Sequence, residues 1–475
     1  MGLSYDRAML EQIYLHQKQY SLKLRTESYE TRLEQLKSLQ KLVEENQDAI
    51  CKALYEDFKK PQFEALFTEI YPLIHEIKCA QKELKKWMKP TKVATPMMMM
   101  GTSSEIHYEP KGVCFIISPW NYPFFLTIAP LISVVASGNC AVVKPSEFSR
   151  HSSAVMAHLF QKYFRPEHIH FVQGGPETTT DLLQFPFDHI FYTGSTRVGR
   201  LIMEAAAKHL TPVTLELGGK SPTIVDRTAD LEAAAERIVW AKFLNGGQTC
   251  VAPDYVFVHQ DVQSHLSHLL KEKIKASFGS EMHTAENMPD MAKIISRRHT
   301  DRLINLVKNA VDAGAQVIFG GEFNSEKHFM GPTLITKVPP QADLLSEEIF
   351  GPVLPLMPYK EISEVIHYIN ERPKPLALYM YSNAKLDIEK VLKETSSGGV
   401  VINNSILHLA NYNLPFGGVG ESGMGRAHGI HGFRTFSNEK SVLKQNFMGK
   451  MLKLTYPPYT ESKLNLIKKM IQWRL

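Results

Sequence analysis

The chain has little cysteine for its length, and its cysteines are scattered. Only five of the 475 residues are cysteine, and no two of them form a CxxC pair. Their odd number and wide spacing argue against a disulfide framework and a thiolate zinc site, and are typical of a reducing compartment. The sequence also lacks an HExxH motif and clustered histidines with ligand spacing, so we expect no metal site.

Blocks of like charge are missing before the C-terminal tail, and the formal net charge is only +5. We therefore expect a small-molecule partner rather than a nucleic acid. Residues 112–143 carry no charge, but their prolines, glycine and asparagines break this run into short buried elements rather than one membrane span. Residues 1–6 contain no apolar signal core, which predicts a cytoplasmic protein.

Alternating strand and helix patterns dominate the middle of the chain. They predict strands near 113–118, 141–144, 168–173 and 190–192, separated by helices near 124–137 and 149–163, after a single helix over 29–58. A second set begins with a strand at 223–225 and continues to a strand at 316–319. This order predicts an α/β protein with two doubly wound parallel-sheet domains, one for a cofactor and one catalytic, plus a small β oligomerisation arm.

The predicted domain boundaries follow these changes in pattern. We expect a dinucleotide-binding domain from 1–85 and 109–216, a catalytic domain over 217–410, oligomerisation or bridging segments at 86–108 and 411–445, and a basic amphipathic tail at 446–475. The glycine-dense stretch 414–425 is expected to be a close-packed loop near the site.

Three polar side chains stand in settings that suit acyl chemistry. Cys250 ends a Gly-Gly-Gln-Thr-Cys loop sequence and is a candidate nucleophile, and Glu216 lies in Leu-Glu-Leu-Gly-Gly-Lys and is a candidate base for water. Asn121, between Trp120 and Tyr122, offers an uncharged amide donor. Any one of these alone is more often a structural residue, but together they provide a nucleophile, a base and a hydrogen-bond donor.

Two further stretches indicate a nucleotide site. In 192–199 a strand leads through Gly194 and Ser195 into a helix, whose free amides can hold a pyrophosphate, although the full GxGxxG fingerprint is absent. Lys144 and Glu147 follow another predicted strand and could bind ribose hydroxyls. A P-loop at 218–221 is excluded because Thr214 stands where the first glycine belongs.

Taken in order, these motifs resemble the aldehyde dehydrogenase superfamily, most closely its class 3 branch of fatty and aromatic aldehyde enzymes. The matching stretches are 119–123, 144–147, 192–196 with 198–199, 216–220, 247–250, 348–352 and 415–418.

The resemblance implies NAD(P)-dependent oxidation of an aldehyde to a carboxylate. Cys250 would attack the aldehyde carbon as a thiolate in a locally positive environment, giving a thiohemiacetal and then a thioester. The Asn121 amide would hold the oxyanion with the Cys250 backbone N–H, and Glu216 would activate the hydrolytic water.

The resemblance also implies a cofactor site across two domains. Lys144 and Glu147 would bind the adenine-side ribose, Ser195 the pyrophosphate, and Glu348 with Phe350 the nicotinamide ribose and ring. The remaining implied cofactor contacts are Gly194, Gly199, Leu217 and Gly218. NAD is the first expectation, because Glu147 disfavours a 2′-phosphate by charge, and NADP is the alternative.

Large apolar residues next to the catalytic motifs are candidates for the aldehyde channel. They are Tyr122, Trp240 and Phe416, whereas Phe243 is expected to pack in the core. Such a channel suits medium or long aliphatic aldehydes and aromatic ones.

Two other functions share the scaffold. A CoA-acylating enzyme would pass the acyl group to a thiol, and a crystallin-like structural protein would not be catalytic. Glu216 argues against the first, because CoA-acylating relatives lack a base there, and retained Cys250 and Asn121 argue against the second.

The resemblance further implies a homodimer formed through the small β arm.

The C-terminal tail places Leu464, Ile467 and Ile471 on one helical face, with cationic residues on the other faces. That pattern predicts either peripheral contact with an anionic membrane surface or packing on the protein or its dimer partner.

Overall fold

The computed structural model describes residues 5–96, 99, 101–279, 284, 288–445 and 456–472. Its α-helices are α1 (Arg7–Leu24), α2 (Tyr29–Glu44), α3 (Gln47–Phe58), α4 (Gln62–Ala65), α5 (Tyr71–Trp87), α6 (Phe125–Ser137), α7 (Arg150–Tyr163), α8 (Pro176–Leu182), α9 (Thr196–Ala207), α10 (Leu231–Phe243), α11 (Gln263–Phe278), α12 (Arg297–Asp312), α13 (Asp343–Ser346), α14 (Ile362–Asn370), α15 (Lys385–Glu394), α16 (Gly429–Thr435) and α17 (Glu461–Gln472).

The strands form two large sheets and a smaller one, with a two-stranded ribbon. They are β1 (Thr91–Val93), β2 (Thr102–Pro110), β3 (Val113–Ile117), β4 (Cys140–Lys144), β5 (Ile169–Phe171), β6 (His189–Gly194), β7 (Val213–Leu217), β8 (Pro222–Val225), β9 (Tyr255–His259), β10 (Gln316–Phe319), β11 (Phe323–Asn324), β12 (Phe329–Met330), β13 (Thr333–Thr336), β14 (Val353–Tyr359), β15 (Ala377–Tyr381), β16 (Gly399–Ile402), β17 (Gly423–Met424) and β18 (Ser437–Gln445).

The expected single helix over 29–58 is two helices. α2 ends at Glu44 and α3 begins at Gln47, with Asn46 between them at φ −124° and ψ 23°. The Asn46 side-chain amide donates to the Leu42 carbonyl at 2.8 Å. A short polar side chain that bonds the backbone in this way competes with the helix, which explains the break.

The first large sheet has the strand order β17-β7-β6-β3-β4-β5. Its strands are parallel except β17, which pairs antiparallel with β7. Helices cover both faces: α6 and α1 each contact β3 and β4 and contribute to two different buried clusters. This arrangement confirms the predicted doubly wound sheet, because near-continuous apolar strands such as β3 and β4 are buried throughout.

The second large sheet has the order β10-β13-β14-β9-β8-β15-β16. It is parallel except for β10, which runs antiparallel to β13 at one edge. A smaller antiparallel sheet joins β1, β2 and β18, with β2 and β18 paired over nine residues. The predicted fold class, two α/β sheets with a small β arm, is therefore confirmed.

The glycine-dense stretch 414–425 is a loop, as expected, except for the two residues of β17 near its end. Gly423 pairs with Glu216 and Met424 with Leu215. Gly423 has a φ of +138°, and a Cβ there would lie 2.1 Å from the Leu215 carbonyl oxygen. Only glycine permits this approach, so a glycine-rich sequence forms the strand at the sheet edge.

The tail helix α17 contains no buried residue. Residues 446–455 and 473–475 of the predicted tail lie outside the described part of the chain. In that described part, every helix is too short or too polar to cross a bilayer.

Candidate active site

The loop that carries Cys250 is fixed by its own buried side chains. After α10 the chain turns through a 3₁₀ segment, Leu244–Gly247, in which Asn245 has a φ of 55°. The Gln248 amide donates to the carbonyls of Asn245 and Lys293 at 2.9 and 3.0 Å and accepts from the Ile295 amide at 2.9 Å. These bonds hold the segment just before the thiol in one conformation.

Asn121 is bound directly to this loop. Its side-chain Nδ2 donates to the Gln248 carbonyl at 3.0 Å, and its own carbonyl accepts from Asn245 Nδ2 at 2.8 Å. The Tyr122 hydroxyl lies 2.7 Å from Thr249 Oγ1. The amide donor and the thiol therefore belong to two loops that are held together.

Glu216 is buried in β7. In the described part of the chain neither of its carboxylate oxygens has a hydrogen-bond partner. Burial raises the pKa of Glu216 well above its usual range, and the nearby Arg426 opposes this shift. A Cβ at Gly417 would lie 3.1 Å from Glu216 Oε1, so the glycine stretch packs closely against the carboxylate.

The three predicted catalytic residues line one cavity of about 280 Å³. The predicted cofactor residues that line it as well are Gly194, Ser195, Leu217, Gly218, Glu348 and Phe350. Gly194 and Leu217 end strands β6 and β7 of the first large sheet, whereas Glu348 and Phe350 lie in the loop before β14 of the second. The cavity thus has the two-sided construction expected of a cofactor cleft.

Three predicted cofactor residues are not among those lining the cavity. Lys144, the last residue of β4, forms an ion pair with Glu147 at 2.9 Å. Gly199 lies on α9, where a Cβ would come within 2.7 Å of Leu217 Cδ2, so this glycine allows α9 to pack closely on β7.

The cavity lining fits a dinucleotide. Ser195 caps α9, its Oγ accepting from the Val198 amide at 3.5 Å, so the positive end of a twelve-residue helix begins at the cavity wall. A Cβ on Gly218 would lie 2.1 Å from Glu348 Oε2, so any side chain at this position would displace that carboxylate. Burial, with the charge of Asp254, raises the pKa of Glu348 to about 8.

A second cavity, of about 290 Å³, also reaches Cys250. Its walls include all three predicted channel residues, Tyr122, Trp240 and Phe416. Phe243 is instead buried and packs edge-on against Phe278, as expected for a core residue. Cys250 and Phe416 line both cavities.

Sequence reasoning missed several residues that line the second cavity. Phe67 and Tyr71 line this second cavity, and Phe67 stacks on Phe63 with ring centres 6.1 Å apart. The sequence pattern that could have revealed them is the spacing of four positions between Phe63, Phe67 and Tyr71, which places these aromatic residues along one side of a helical segment. His299 was missed too; it packs edge-on against Trp120 and lines the first cavity.

The electrostatic setting of Cys250 differs from the positive environment expected. Burial raises the pKa of its thiol to about 12, and the charges of Glu348 and Glu216 add to that rise. The uncharged thiol is therefore the stable form in the free protein.

Comparison with known proteins places the chain in one family. The model of the aldehyde dehydrogenase family matches residues 7–442. The chain is 42% identical over 435 residues to 4,4'-diaponeurosporen-aldehyde dehydrogenase of Staphylococcus aureus, covering 92% of this chain and 94% of that protein. It is 43% identical over 435 residues to the rat (Rattus norvegicus) "Aldehyde dehydrogenase, dimeric NADP-preferring", covering 91% and 94%.

A solved structure described as the substrate-bound state of Staphylococcus aureus AldH superposes with a TM-score of 0.92. Its sequence is 41% identical, and the alignment covers 97% of this chain and 99% of that one. These matches confirm the predicted oxidoreductase that uses NAD or NADP to oxidise aldehydes. The chain belongs to the aldehyde dehydrogenase family.

Proposed function

We propose that Cys250 is the nucleophile that converts an aldehyde into an enzyme-bound thioester. The observation that carries this proposal is the position of Cys250 in the wall of two cavities, one two-sided and bearing Asn121, Glu216 and Glu348, the other largely aromatic. A thiol in that position can meet an aldehyde from one cavity and a cofactor from the other. The alternative of a non-catalytic structural protein gives no reason for this shared wall.

Asn121 and the backbone N–H of Cys250 hold the oxygen that becomes negative when the thiol attacks. Support comes from the bonds that hold the Asn121 loop against the thiol loop. One such donor is worth about 3 to 4 kcal/mol of transition-state stabilisation in comparable sites. Because the thiol is neutral at rest, attack requires that its proton leave as the carbon–sulfur bond forms.

In the first cavity, Ser195 and the start of α9 would hold the pyrophosphate of a dinucleotide cofactor, and Glu348 with Phe350 would hold its nicotinamide end. A bound nicotinamide would supply the acceptor for the hydride of the thiohemiacetal. Gly194, Leu217 and Gly218 form the adjoining wall, and Gly199 allows α9 to approach. Lys144 and Glu147 bind the adenine-side ribose; NAD is the preferred cofactor because of the Glu147 charge, and NADP is also accepted.

Glu216 takes a proton from the water that cleaves the thioester, which releases a carboxylate and restores the thiol. A buried carboxyl group without hydrogen-bond partners has a raised proton affinity, which suits a base at neutral pH. This residue favours water over coenzyme A as the acyl acceptor.

The substrate class is a medium- or long-chain aliphatic aldehyde or an aromatic one. Tyr122, Trp240 and Phe416 form part of a largely apolar wall, which binds carbon chains and rejects small polar aldehydes. The Staphylococcus aureus relative, which is named for the aldehyde of 4,4'-diaponeurosporene, supports a large apolar substrate.

An aldehyde series with NAD and with NADP tests this function. Wild-type protein should form reduced cofactor and carboxylate, and Cys250→Ala should form neither. Cys79→Ala is the matched control, because Cys79 is the other cysteine that is not fully buried. Acyl-CoA formed only when CoA is added would overturn the hydrolytic reaction. Absence of reduced cofactor with every aldehyde would favour the structural alternative.

The arm and domains have proposed roles as well. We assign 1–85 with 109–216 to cofactor binding, 217–410 to catalysis, and 86–108 with 411–445 to a homodimer contact through the small sheet. Strand β18 is largely exposed along its nine residues, which leaves it accessible to a second copy. The rat relative is named as dimeric. A monomer mass by light scattering would refute the dimer.

The tail is proposed to contact anionic membrane surfaces of the cytoplasm peripherally. Leu464, Ile467 and Ile471 of α17 are exposed, with Lys468 and Lys469 beside them. Flotation with anionic vesicles should be lost when residues 460–475 are deleted, and should weaken when the two lysines become glutamates. Flotation that is unchanged by the deletion would contradict the proposal. As a control for folding, the truncated protein should keep its dimer mass.

A further inference from the structure

A fully buried ion pair lies under the catalytic loops. Lys60 Nζ and Glu69 Oε1 are 2.6 Å apart, and both side chains are 0% exposed. Taking two charges out of water costs several kcal/mol per ion before their attraction is counted, so such pairs contribute little net stability. Their position relative to the site therefore needs a separate explanation.

Glu69 holds the loop that carries Asn121. Its second oxygen, Oε2, accepts from the backbone amides of Phe124 and Phe125 at 2.9 and 3.2 Å. These amides open α6, three and four residues after Asn121. Lys60 lies 4.3 Å from the ring centre of Tyr122, the residue next to Asn121, so the ion pair contacts this loop at two points.

Glu64 holds the thiol loop from the same helical segment. Its Oε1 accepts from the backbone amide of Asn245 at 2.9 Å, five residues before Cys250. Burial raises the pKa of Glu64 to about 7, and the positive charge of Lys60 opposes that rise. Asn245 in turn donates its side-chain amide to the Asn121 carbonyl at 2.8 Å, which joins the two loops.

A local change of helix type allows one segment to serve both loops. Between α4 and α5 the residues Leu66–Ile70 form a π-helix, in which the Tyr71 amide bonds to the Leu66 carbonyl five residues earlier. The wider turn brings Glu64 and Glu69 to the buried side, while Phe67 and Tyr71 line the aldehyde cavity. Single π-helical turns of this kind are common at functional sites.

We propose that Lys60, Glu64 and Glu69 are positioning residues that set the distance between the Asn121 amide and the Cys250 thiol. They are not among the residues that line either cavity. They act through the backbone of the two loops that carry the reacting groups. The inference rests on the proposed roles of Asn121 and Cys250.

The first test is the rate of the acylation step in Glu69→Gln. An amide at this position would present either its oxygen to the loop amides and its NH₂ to the Lys60 ammonium, or the reverse, and neither arrangement satisfies both neighbours. A displacement of about 1 Å in a reacting group lowers rates by about 100-fold. We expect a loss of that order in single-turnover formation of reduced cofactor per titrated site, with cofactor affinity unchanged.

A paired variant separates positioning from general destabilisation. In Lys60→Met with Glu69→Gln, the cation is removed and the new amide can turn its oxygen to Phe124 and Phe125. Acylation should recover to within about 10-fold of wild type, since loss of both charges is tolerated when volume is kept. A role confined to stability would change the melting temperature and the fraction of active sites, but not the rate per active site.

Asp57→Asn is the matched control. Asp57 also accepts from backbone amides at a helix start, those of His151 and Ser152 at 3.0 and 2.8 Å, but α7 carries no proposed catalytic residue. Its acylation rate at saturating cofactor should stay near wild type. A wild-type acylation rate in Glu69→Gln, or an equal loss in Asp57→Asn, would overturn the inference. Activity retained by Cys250→Ala would instead refute the proposed function itself.

Discussion

Replacing Glu216 with leucine should make the protein more stable while it stops turnover. The Glu216 side chain is 6% exposed, and within the described residues neither oxygen has a hydrogen-bond partner. A buried polar group left unsatisfied costs about 1 to 3 kcal/mol. Leucine has a similar volume and no such cost, so the free energy of unfolding should rise by at least about 1 kcal/mol even at low pH.

The difference in the free energy of unfolding between Glu216→Leu and the wild type should also grow with pH. Because burial raises the pKa of Glu216 above its unfolded value, the folded protein holds this proton over a range in which the unfolded chain has lost it. In that range Glu216 makes the folded state less stable by about 1.4 kcal/mol for each pH unit. The leucine variant lacks this penalty, so its advantage should be small near pH 5 and larger near pH 8.

Urea unfolding at about pH 5, 6.5 and 8 would measure the effect. Glu204→Leu is the control, because Glu204 is exposed on α9, and it should show no gain that increases with pH. A Glu216→Leu advantage that is the same at all three pH values would refute the raised pKa. A loss of stability at every pH would refute the conclusion that this carboxyl group is unsatisfied.

Three further results are expected. Glu216→Gln should give a burst of about one reduced cofactor per site and then turn over slowly, as seen by stopped-flow absorbance; a linear trace at the wild-type rate would contradict its role as water base. Gly218→Ala should weaken cofactor binding in titrations, because the new Cβ would lie 2.1 Å from Glu348 Oε2, while alkylation of Cys250 is retained. The alkylation rate of Cys250 in the free protein should still be rising at about pH 10, since its pKa is about 12, and a plateau near neutral pH would be inconsistent with that value.

The sequence predicted the site better than its surroundings. Asn121, Glu216 and Cys250 stand in short motifs whose glycines and prolines signal loops, and the structure brings all three to one cavity. Near-continuous apolar runs also predicted the central strands, because β3, β4 and β6 are buried almost throughout.

Features that depend on a single side-chain bond or on contacts formed only in the fold were not predictable. The break at Asn46 depends on one side-chain bond within a pattern that otherwise favours a continuous helix. β17 forms from glycines because Leu215 lies against it. The ion pair of Lys60 and Glu69 sits in an ordinary helical sequence, and only folding shows that both charges are buried. The raised thiol pKa likewise depends on burial and on the distant Glu348.

The sulfur of Cys250 stands where two separate chambers meet. Under the proposed function, an aldehyde enters past the aromatic walls without crossing the cavity assigned to the dinucleotide, and the carboxylic acid leaves by the way the aldehyde came. On that assignment the aldehyde and the dinucleotide have separate entrances. Either one can then bind or leave while the other stays bound. Lengthening the carbon chain of the substrate should consequently alter aldehyde affinity without changing the affinity for the nucleotide.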